Sequence, residues 1–86
     1  MPRRNSRNDD APVLIRRAAP ADNAAIERLA ALDEGELPCG ERLIALIAGR
    51  PVAAMEVSSG ATVADPFVAT SSVVELLGLR AAQVRR

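Results

Sequence analysis

The chain has 86 residues, which is room for one small domain. It carries 11 basic and 11 acidic residues, so its formal net charge is zero and no overall charge attracts it to nucleic acid or anionic lipid. Histidine, tryptophan and tyrosine are absent, which removes the commonest acid–base side chain and the commonest transition-metal ligand. We therefore expect no metal site.

Composition also indicates where the protein works. All basic residues are arginine and alanine is frequent, a bias typical of bacteria with GC-rich genomes. The single cysteine, Cys39, cannot form an internal disulfide, which fits a reducing cytoplasm. The longest apolar run, residues 43–48, is far shorter than the roughly 20 residues of a membrane-spanning helix. We expect a cytoplasmic protein that does not bind membranes.

The first 11 residues are polar and charged and show no hydrophobic periodicity. Such a stretch cannot bury enough apolar surface to fold, which predicts a disordered tail over residues 1–11. Residues 12–86 are expected to form a single domain.

A strand and a helix are predicted next. Residues 13–15 form an apolar run that ends at two arginines, which indicates a first strand. A helix is expected to begin near Pro20, because proline suits the first helical position and Asp22 favours the helix dipole. Apolar residues then recur at helical spacing up to Asp33, after which a glycine and a proline end the helix.

A hairpin is predicted after a loop over residues 34–41. Residues 42–48 form a strand apolar enough to be covered on both faces. Gly49 and Arg50 are expected to make a two-residue turn, since glycine tolerates a positive φ. The third strand covers residues 52–57. Its alternation predicts one face with Val52, Ala54 and Glu56 and another with Ala53, Met55 and Val57.

The last predicted elements are a short strand and a helix. A Ser-Gly pair marks a turn before a strand over residues 61–64, which a following proline ends. The final helix is expected to run to about residue 84. Its N-cap is either Thr70 or Ser72, which has Glu75 at capping-box spacing.

The predicted order is therefore strand, helix, three-strand meander, helix. Tight turns imply antiparallel pairing of the last three strands. Helices before and after such a meander make an α+β fold in which the helices pack on the sheet.

The stretch VLIRRAAPADNAAIERLAALD, followed by LIALIAGRPVAAMEVSSG, resembles the N-terminal half of the GNAT acetyltransferase fold. In that family an I-R-x-A-x-x-x-D pattern leads from the first strand into the first helix. Ile15, Arg16, Ala18 and Asp22 occupy its positions here. The resemblance implies a partial GNAT-like sheet with helices packed on it.

The hairpin carries the second part of the resemblance. The family's A-x-x-D-G-x-x-V-G pattern is matched at Ala45, Gly49 and Val52, whereas Ala48 and Ala53 replace its acidic residue and its second glycine. The resemblance covers roughly residues 13–65, and its short motifs are moderately specific.

The family's decisive motif, Arg/Gln-x-x-Gly-x-Gly/Ala after the fourth strand, is missing. Its backbone N–H groups and the following helix N-terminus hold the pyrophosphate of acetyl-CoA. Residues 65–70 read DPFVAT, with no glycine and no basic residue. Pro66 has no N–H to donate, and side chains elsewhere crowd a bound phosphate. We interpret this corner as a replacement for a cofactor loop.

Glu56 and Asp65 are the carboxylates expected in or beside the meander. The resemblance implies that such a strand carboxylate could deprotonate a substrate amine through water. We favour the alternative that Glu56 lies on a solvated strand face and that Asp65 closes an Asx turn before Pro66. No catalytic residue is therefore assigned.

No cofactor is expected either. If acetyl-CoA does bind, the start of the last helix at Thr70, Ser71 and Ser72 supplies the expected contacts. Cys39 has no histidine to activate it, which favours an ordinary loop cysteine. The C-terminal arginines suit the helix dipole, and nucleic-acid binding through them is the weakest hypothesis because stacking aromatic residues are lacking.

The favoured function is a small non-catalytic GNAT-like module that acts by self-association or by binding another protein. An acetyl-CoA-dependent N-acetyltransferase activity, completed by a partner chain, is the alternative. A homodimer is expected because the strand at residues 61–64 is an uncharged edge without a neighbour. Gly78 would let a second helix approach the apolar last helix, so that one self-complementary surface buries both features.

Overall fold

A computed structural model describes residues 12–85, so the predicted tail at residues 1–11 lies outside the described residues. The described chain is an α+β fold with one four-stranded antiparallel sheet, in the order β1-β2-β3-β4, and two α-helices. The strands are β1 (Val13–Arg17), β2 (Arg42–Ile47), β3 (Arg50–Glu56) and β4 (Thr62–Ala64), and the helices are α1 (Asn23–Asp33) and α2 (Ser71–Arg85). The predicted order of elements is confirmed.

Helix α1 ends at Asp33 as predicted, but it begins at Asn23, three residues after the predicted start at Pro20. One turn of 3-10 helix, Pro20–Asp22, leads into it. The helix ends at Asp33 because Glu34 adopts a left-handed conformation, with φ of 53°. The N–H of the following glycine then donates to the carbonyl of Ala30 at 3.0 Å, which satisfies one of the last helical carbonyls.

The two helices cover opposite faces of the sheet. Strand β2 contributes to both cores, because successive residues of a strand point to opposite faces. Ile44 and Leu46 lie in the core with α1, and Leu43 and Ala45 lie in the core with α2. The helices supply Ile26, Leu29 and Ala30 to the first core and Val73, Leu77 and Ala81 to the second. The prediction that β2 is covered on both faces is confirmed.

The β2–β3 turn is one residue earlier than predicted. Ile47 pairs with Arg50, so the turn residues are Ala48 and Gly49 rather than Gly49 and Arg50. Their φ angles are 51° and 83°, the two positive values that a type I′ turn requires. Alanine rarely adopts a positive φ, because its β-carbon crowds the backbone. The prediction therefore took the glycine as the first turn residue and placed the turn one residue too late.

A β-bulge in β3 overturns the predicted position of Val52. Ala45 pairs with Ala53 and Leu46 pairs with Pro51, which leaves Val52 as an extra residue between the two pairs. Val52 therefore packs in the core with α2, whereas strict alternation placed it on the opposite face. Pro51 is the physical reason, since it has no N–H for the ladder and is tolerated at a bulge.

Helix α2 begins at Ser71, which makes Thr70 the N-cap. The Thr70 carbonyl accepts the first helical hydrogen bond at 2.8 Å. Ser72 lies inside the first turn, so the alternative start with Ser72 as the N-cap is wrong. At the other end, Nη1 of Arg85 donates to the carbonyl of Val57 at 2.6 Å and fixes the helix to the β3–β4 turn.

Candidate functional site

The first four residues of the junction between β4 and α2, residues 65–68, have no free backbone donor. The N–H of Asp65 donates to the Val52 carbonyl at 2.8 Å, and the N–H of Val68 donates to the Asp65 carbonyl at 3.2 Å. The N–H of Phe67 donates to Oδ1 of Asp65 at 2.8 Å, which is the predicted Asx turn. Pro66 has no N–H. The first four residues of the junction thus offer no free N–H to a phosphate.

A cavity of about 120 Å³ lies beside this junction. Asp65 and Val68 line it from the junction, Arg28 lines it from α1, and Arg50 lines it from the start of β3. The remaining wall consists of Ile47, Pro51 and Val52. Within residues 12–85 neither arginine forms a salt bridge. The cavity is therefore lined by two arginines, one aspartate and an apolar wall.

The sequence did not reveal these arginines as neighbours of the junction. The family motif carries its basic residue in the stretch that corresponds to residues 65–70, which has none here. Arg28 and Arg50 come instead from α1 and from the hairpin. Both are exposed, and no local pattern distinguishes them from other surface arginines. Only the packing of α1 on the sheet places them beside Asp65.

Glu56 and Asp65 are not brought together. Glu56 ends β3, and its carboxylate accepts hydrogen bonds from the hydroxyls of Ser58 and Ser59, both at 3.0 Å. It is half-buried rather than on an open solvated face. Asp65 bonds to Val52, four residues earlier on β3, which corresponds to about 13 Å along a strand. The two carboxylates therefore cannot act on one substrate atom.

Thr70, Ser71 and Ser72 lie at the start of α2, with both serines exposed and the threonine half-buried. The first N–H groups of a helix have no partner within the helix, so these residues keep some capacity to contact an anion. None of the three lines the cavity beside Asp65. The predicted anion contacts and the two arginines therefore do not form one site.

Cys39 lies exposed in the loop between α1 and β2. A second cavity of about 180 Å³ adjoins it, with polar walls from Asn23, Glu27 and Arg42. Arg42 donates through Nη2 to Oδ1 of Asn23 at 2.8 Å, and its Nε is buried with no partner among the described residues. Residues 12–85 hold no group of three or more His, Cys, Asp or Glu side chains placed to bind a metal. This cavity brings no base to the thiol of Cys39 beyond the carboxylate of Glu27.

The I-R-x-A-x-x-x-D spacing that leads into the first helix has a structural explanation. Nη1 of Arg16 lies 2.8 Å from Oδ2 of Asp22, and Nη2 lies 3.1 Å from Oδ1. The same carboxylate accepts the N–H of Ala19 at 2.7 Å. These donors, Arg16 first, lower the pKa of Asp22 from 3.8 to about 2. The pair holds β1 against the start of α1.

The edge at β4 is partly occupied by α1. Alternate residues of β4 bond to β3, which turns the backbone groups of Thr62 and Ala64 outward. Oδ2 of Asp33 accepts the outward N–H of Ala64 at 3.1 Å. A carboxylate at a strand edge blocks further pairing. The expectation that this edge lacks any neighbour is therefore wrong at Ala64.

The edge at β1 is longer, and fewer of its outward backbone groups contact other residues within 12–85. Ala48 donates to the carbonyl of Pro12, and Ala18 donates to the carbonyl of Arg42, so the even-numbered residues of β1 bond to β2. The odd-numbered residues turn their N–H and C=O groups outward. Two side chains of this strand are also exposed apolar groups, Val13 at 42% and Leu14 at 56%.

Further apolar side chains are exposed on and beside α2. Phe67, the one aromatic residue of the chain, is 84% exposed, and Leu76 and Leu79 are 47% and 64% exposed. A β-carbon at Gly78 would meet no atom within 4 Å, so no described part of the chain packs closely there. These side chains add apolar area to the surface of α2.

Comparison with models of known protein families, with curated proteins and with solved structures gave no significant match. Residues 12–85 contain two α-helices, α1 and α2. Neither is both long enough and apolar enough to cross a lipid bilayer.

Proposed function

We propose that this chain is a small, non-catalytic module of GNAT-like architecture that works by contact with protein chains, above all a second copy of itself. The observation that carries the non-catalytic part is the closed junction after β4. Asp65, Phe67 and Val68 use their N–H groups internally, and Pro66 has none. A nucleotide pyrophosphate would find no backbone cradle there and would meet the Asp65 carboxylate instead.

Surface composition supports the association part of the proposal. Five large apolar side chains with a third or more of their area exposed lie on β1, on α2 and in the junction: Val13, Leu14, Phe67, Leu76 and Leu79. Apolar groups on strand edges and helix faces are typical of surfaces that bind protein. The small size of the domain adds to this, because small domains bury a limited fraction of their surface and gain from association.

Isothermal titration with acetyl-CoA and with CoA tests the non-catalytic part. We expect no binding at micromolar concentrations. A dissociation constant in the low micromolar range, about 8 kcal/mol of binding, would overturn it. Light scattering behind size exclusion tests self-association, for which a particle mass of twice the 9.0 kDa chain is expected.

The alternative function, an acyl-CoA-dependent transferase completed by a partner chain, draws support from the cavity beside Asp65. Arg28 and Arg50 line this cavity and form no salt bridge within residues 12–85, and arginine is a common partner of phosphate groups. If titration does detect CoA, the double variant Arg28→Ala/Arg50→Ala separates two origins of the signal. Loss of binding would place the phosphates at this cavity, and retained binding would place them at the start of α2.

A further inference from the structure

We propose that β1 is the interface of the self-associated protein, and that it pairs antiparallel with β1 of a second copy about a two-fold axis at Ile15. The proposal rests on the proposed function, because it names the surface through which self-association occurs. It moves the interface away from β4, where the sequence placed it.

The two sheet edges differ in their free backbone groups. On β4 two residues face outward, and Asp33 already occupies one of their N–H groups. On β1 three residues face outward: Val13, Ile15 and Arg17. Among the described residues, the only contact to these groups is from Nη1 of Arg16 to the Arg17 carbonyl, at 3.2 Å. Strand edges associate through such unpaired backbone groups, so β1 is better suited than β4 to pair with a strand of another chain.

Register decides which side chains would meet. With the axis at Ile15, Val13 lies opposite Arg17 of the second copy, and each outward N–H and C=O group finds a partner. Leu14 lies opposite Arg16 of the second copy, so the exposed leucine is covered by the aliphatic part of an arginine. No arginine faces an arginine. Moving the axis to Arg16 would place like charges opposite each other, which destabilises a strand pair.

An axis at Leu14 also avoids facing arginines, but it uses less of the strand. Val13 then pairs with Ile15 of the second copy, and Arg17 is left opposite a residue before Pro12, outside β1. The axis at Ile15 pairs all five residues of β1 within the strand. Leu14 lies opposite Arg16 of the second copy when the axis is at Ile15, and opposite Leu14 of the second copy when the axis is at Leu14. A charged residue at position 14 therefore affects the two arrangements differently.

Charge substitutions at Leu14 test the interface and its register together. Light scattering and sedimentation equilibrium would be run on the full chain and on Leu14→Lys, Leu14→Glu and Leu79→Lys. Leu14→Lys places a second cation beside the Arg16–Asp22 pair of the other copy, where one carboxylate faces two cations, and it does so twice in a two-fold dimer. We expect the dimer dissociation constant to rise about tenfold. Leu14→Glu places a carboxylate opposite Arg16, and we expect the dimer to persist. Leu79→Lys tests the other exposed apolar surface, on α2. The β1 interface predicts an unchanged dimer for this variant, and loss of the dimer would overturn it in favour of an interface on α2.

The backbone hydrogen bonds of the proposed β1–β1 pair are tested by comparing Val13→Pro with Val13→Thr. Proline removes an outward N–H that β2 does not use, so the fold should persist while the dimer weakens. Threonine keeps that N–H and the strand preference, and should retain the dimer. Circular dichroism of each variant separates loss of the dimer from loss of the fold.

Each contrary outcome has a defined meaning. A wild-type dimer that Leu14→Lys leaves intact overturns the β1 interface but keeps self-association. Loss of the dimer in both Leu14→Lys and Leu14→Glu overturns the axis at Ile15. A wild-type mass of 9.0 kDa at all concentrations overturns self-association itself. If deletion of residues 1–11 then produces a dimer, the chain's own N-terminal segment is the occupant of the edge, and the proposal fails.

Discussion

Arg16 and Asp22 are joined by two hydrogen bonds, Nη1 to Oδ2 at 2.8 Å and Nη2 to Oδ1 at 3.1 Å. The first residue belongs to β1, and the second ends the 3-10 turn before α1. Because Oδ2 of Asp22 also accepts the N–H of Ala19 at 2.7 Å, one carboxylate both caps the turn and positions it against the sheet. This geometry gives the six-residue spacing of the pair a structural role that needs no ligand.

Removing the carboxylate should change how stability depends on pH. The folded pKa of Asp22 is about 2, below its ordinary 3.8, so acid protonates the unfolded chain more readily than the folded one. The stabilisation is therefore present above pH 4 and lost as the pH falls from about 4 to about 2. We expect Asp22→Asn to cost about 1 kcal/mol at pH 7, the combined scale of a cap and an exposed ion pair.

Urea unfolding of wild type and Asp22→Asn at several pH values checks this prediction. The stability difference between the two proteins should shrink towards zero near pH 2. Glu75→Gln is the control, since Glu75 is an exposed carboxylate on α2 without a salt bridge to residues 12–85. A difference that stays constant across the pH range would contradict the role given to Asp22.

The strained turn residue Ala48 offers a stabilising substitution. Its φ of 51° is one that asparagine tolerates better, and Asn-Gly is a preferred type I′ turn. We expect Ala48→Asn to stabilise the protein by about 0.5–1 kcal/mol, seen as a higher thermal midpoint. Gly49→Ala should act in the opposite direction, because φ at Gly49 is 83°. A lower midpoint for Ala48→Asn would argue against this turn type.

The contact between Asp33 and Ala64 can be followed at one amide. Removing the acceptor in Asp33→Ala should speed hydrogen exchange at the N–H of Ala64. The N–H of Asp65 bonds to the carbonyl of Val52 and should keep its rate. We expect a stability cost of about 0.5–1.5 kcal/mol, the scale of one hydrogen bond. Asp33→Asn retains an acceptor oxygen and serves as the control. Equal exchange at Ala64 in all three proteins would rule out the contact.

Two leucines of α2 lie on different faces of the helix, one in the core and one exposed. Leu77 is fully buried between α2 and the sheet, whereas Leu79 is 64% exposed. Leu77→Ala should cost about 2–5 kcal/mol, because it leaves a cavity in the core. Leu79→Ala, two residues away, should change the stability of the monomer by less than about 0.5 kcal/mol. Chemical unfolding of both variants measures the contrast, and similar costs would mean that α2 packs through another face.

Part of the candidate site could be predicted and part could not. The Asx turn at Asp65 followed from the Asp-Pro pair, because an aspartate before a turn bonds to backbone nearby. The arginines beside it could not be predicted, since Arg28 and Arg50 are distant in sequence and reach the cavity only through packing of α1 and the hairpin. The prediction for Glu56 was incomplete for a different reason: Ser58 and Ser59 are its near neighbours in sequence, and only the conformation of the β3–β4 turn brings their hydroxyls to its carboxylate.

The sequence by itself determined the order of the elements, the end of α1 at Asp33 and the two-sided burial of β2. These depend on hydrophobic periodicity and on capping or breaking residues, which act over a few neighbouring positions. Tertiary structure decided that Val52 points towards α2, that Ala48 takes a turn position, and that Asp33 occupies the β4 edge. It also decided that the outer edge of β1 pairs with no strand among residues 12–85. Each of these outcomes depends on strand register or on a contact between distant residues, such as Asp33 and Ala64, and local patterns carry no information about such partners.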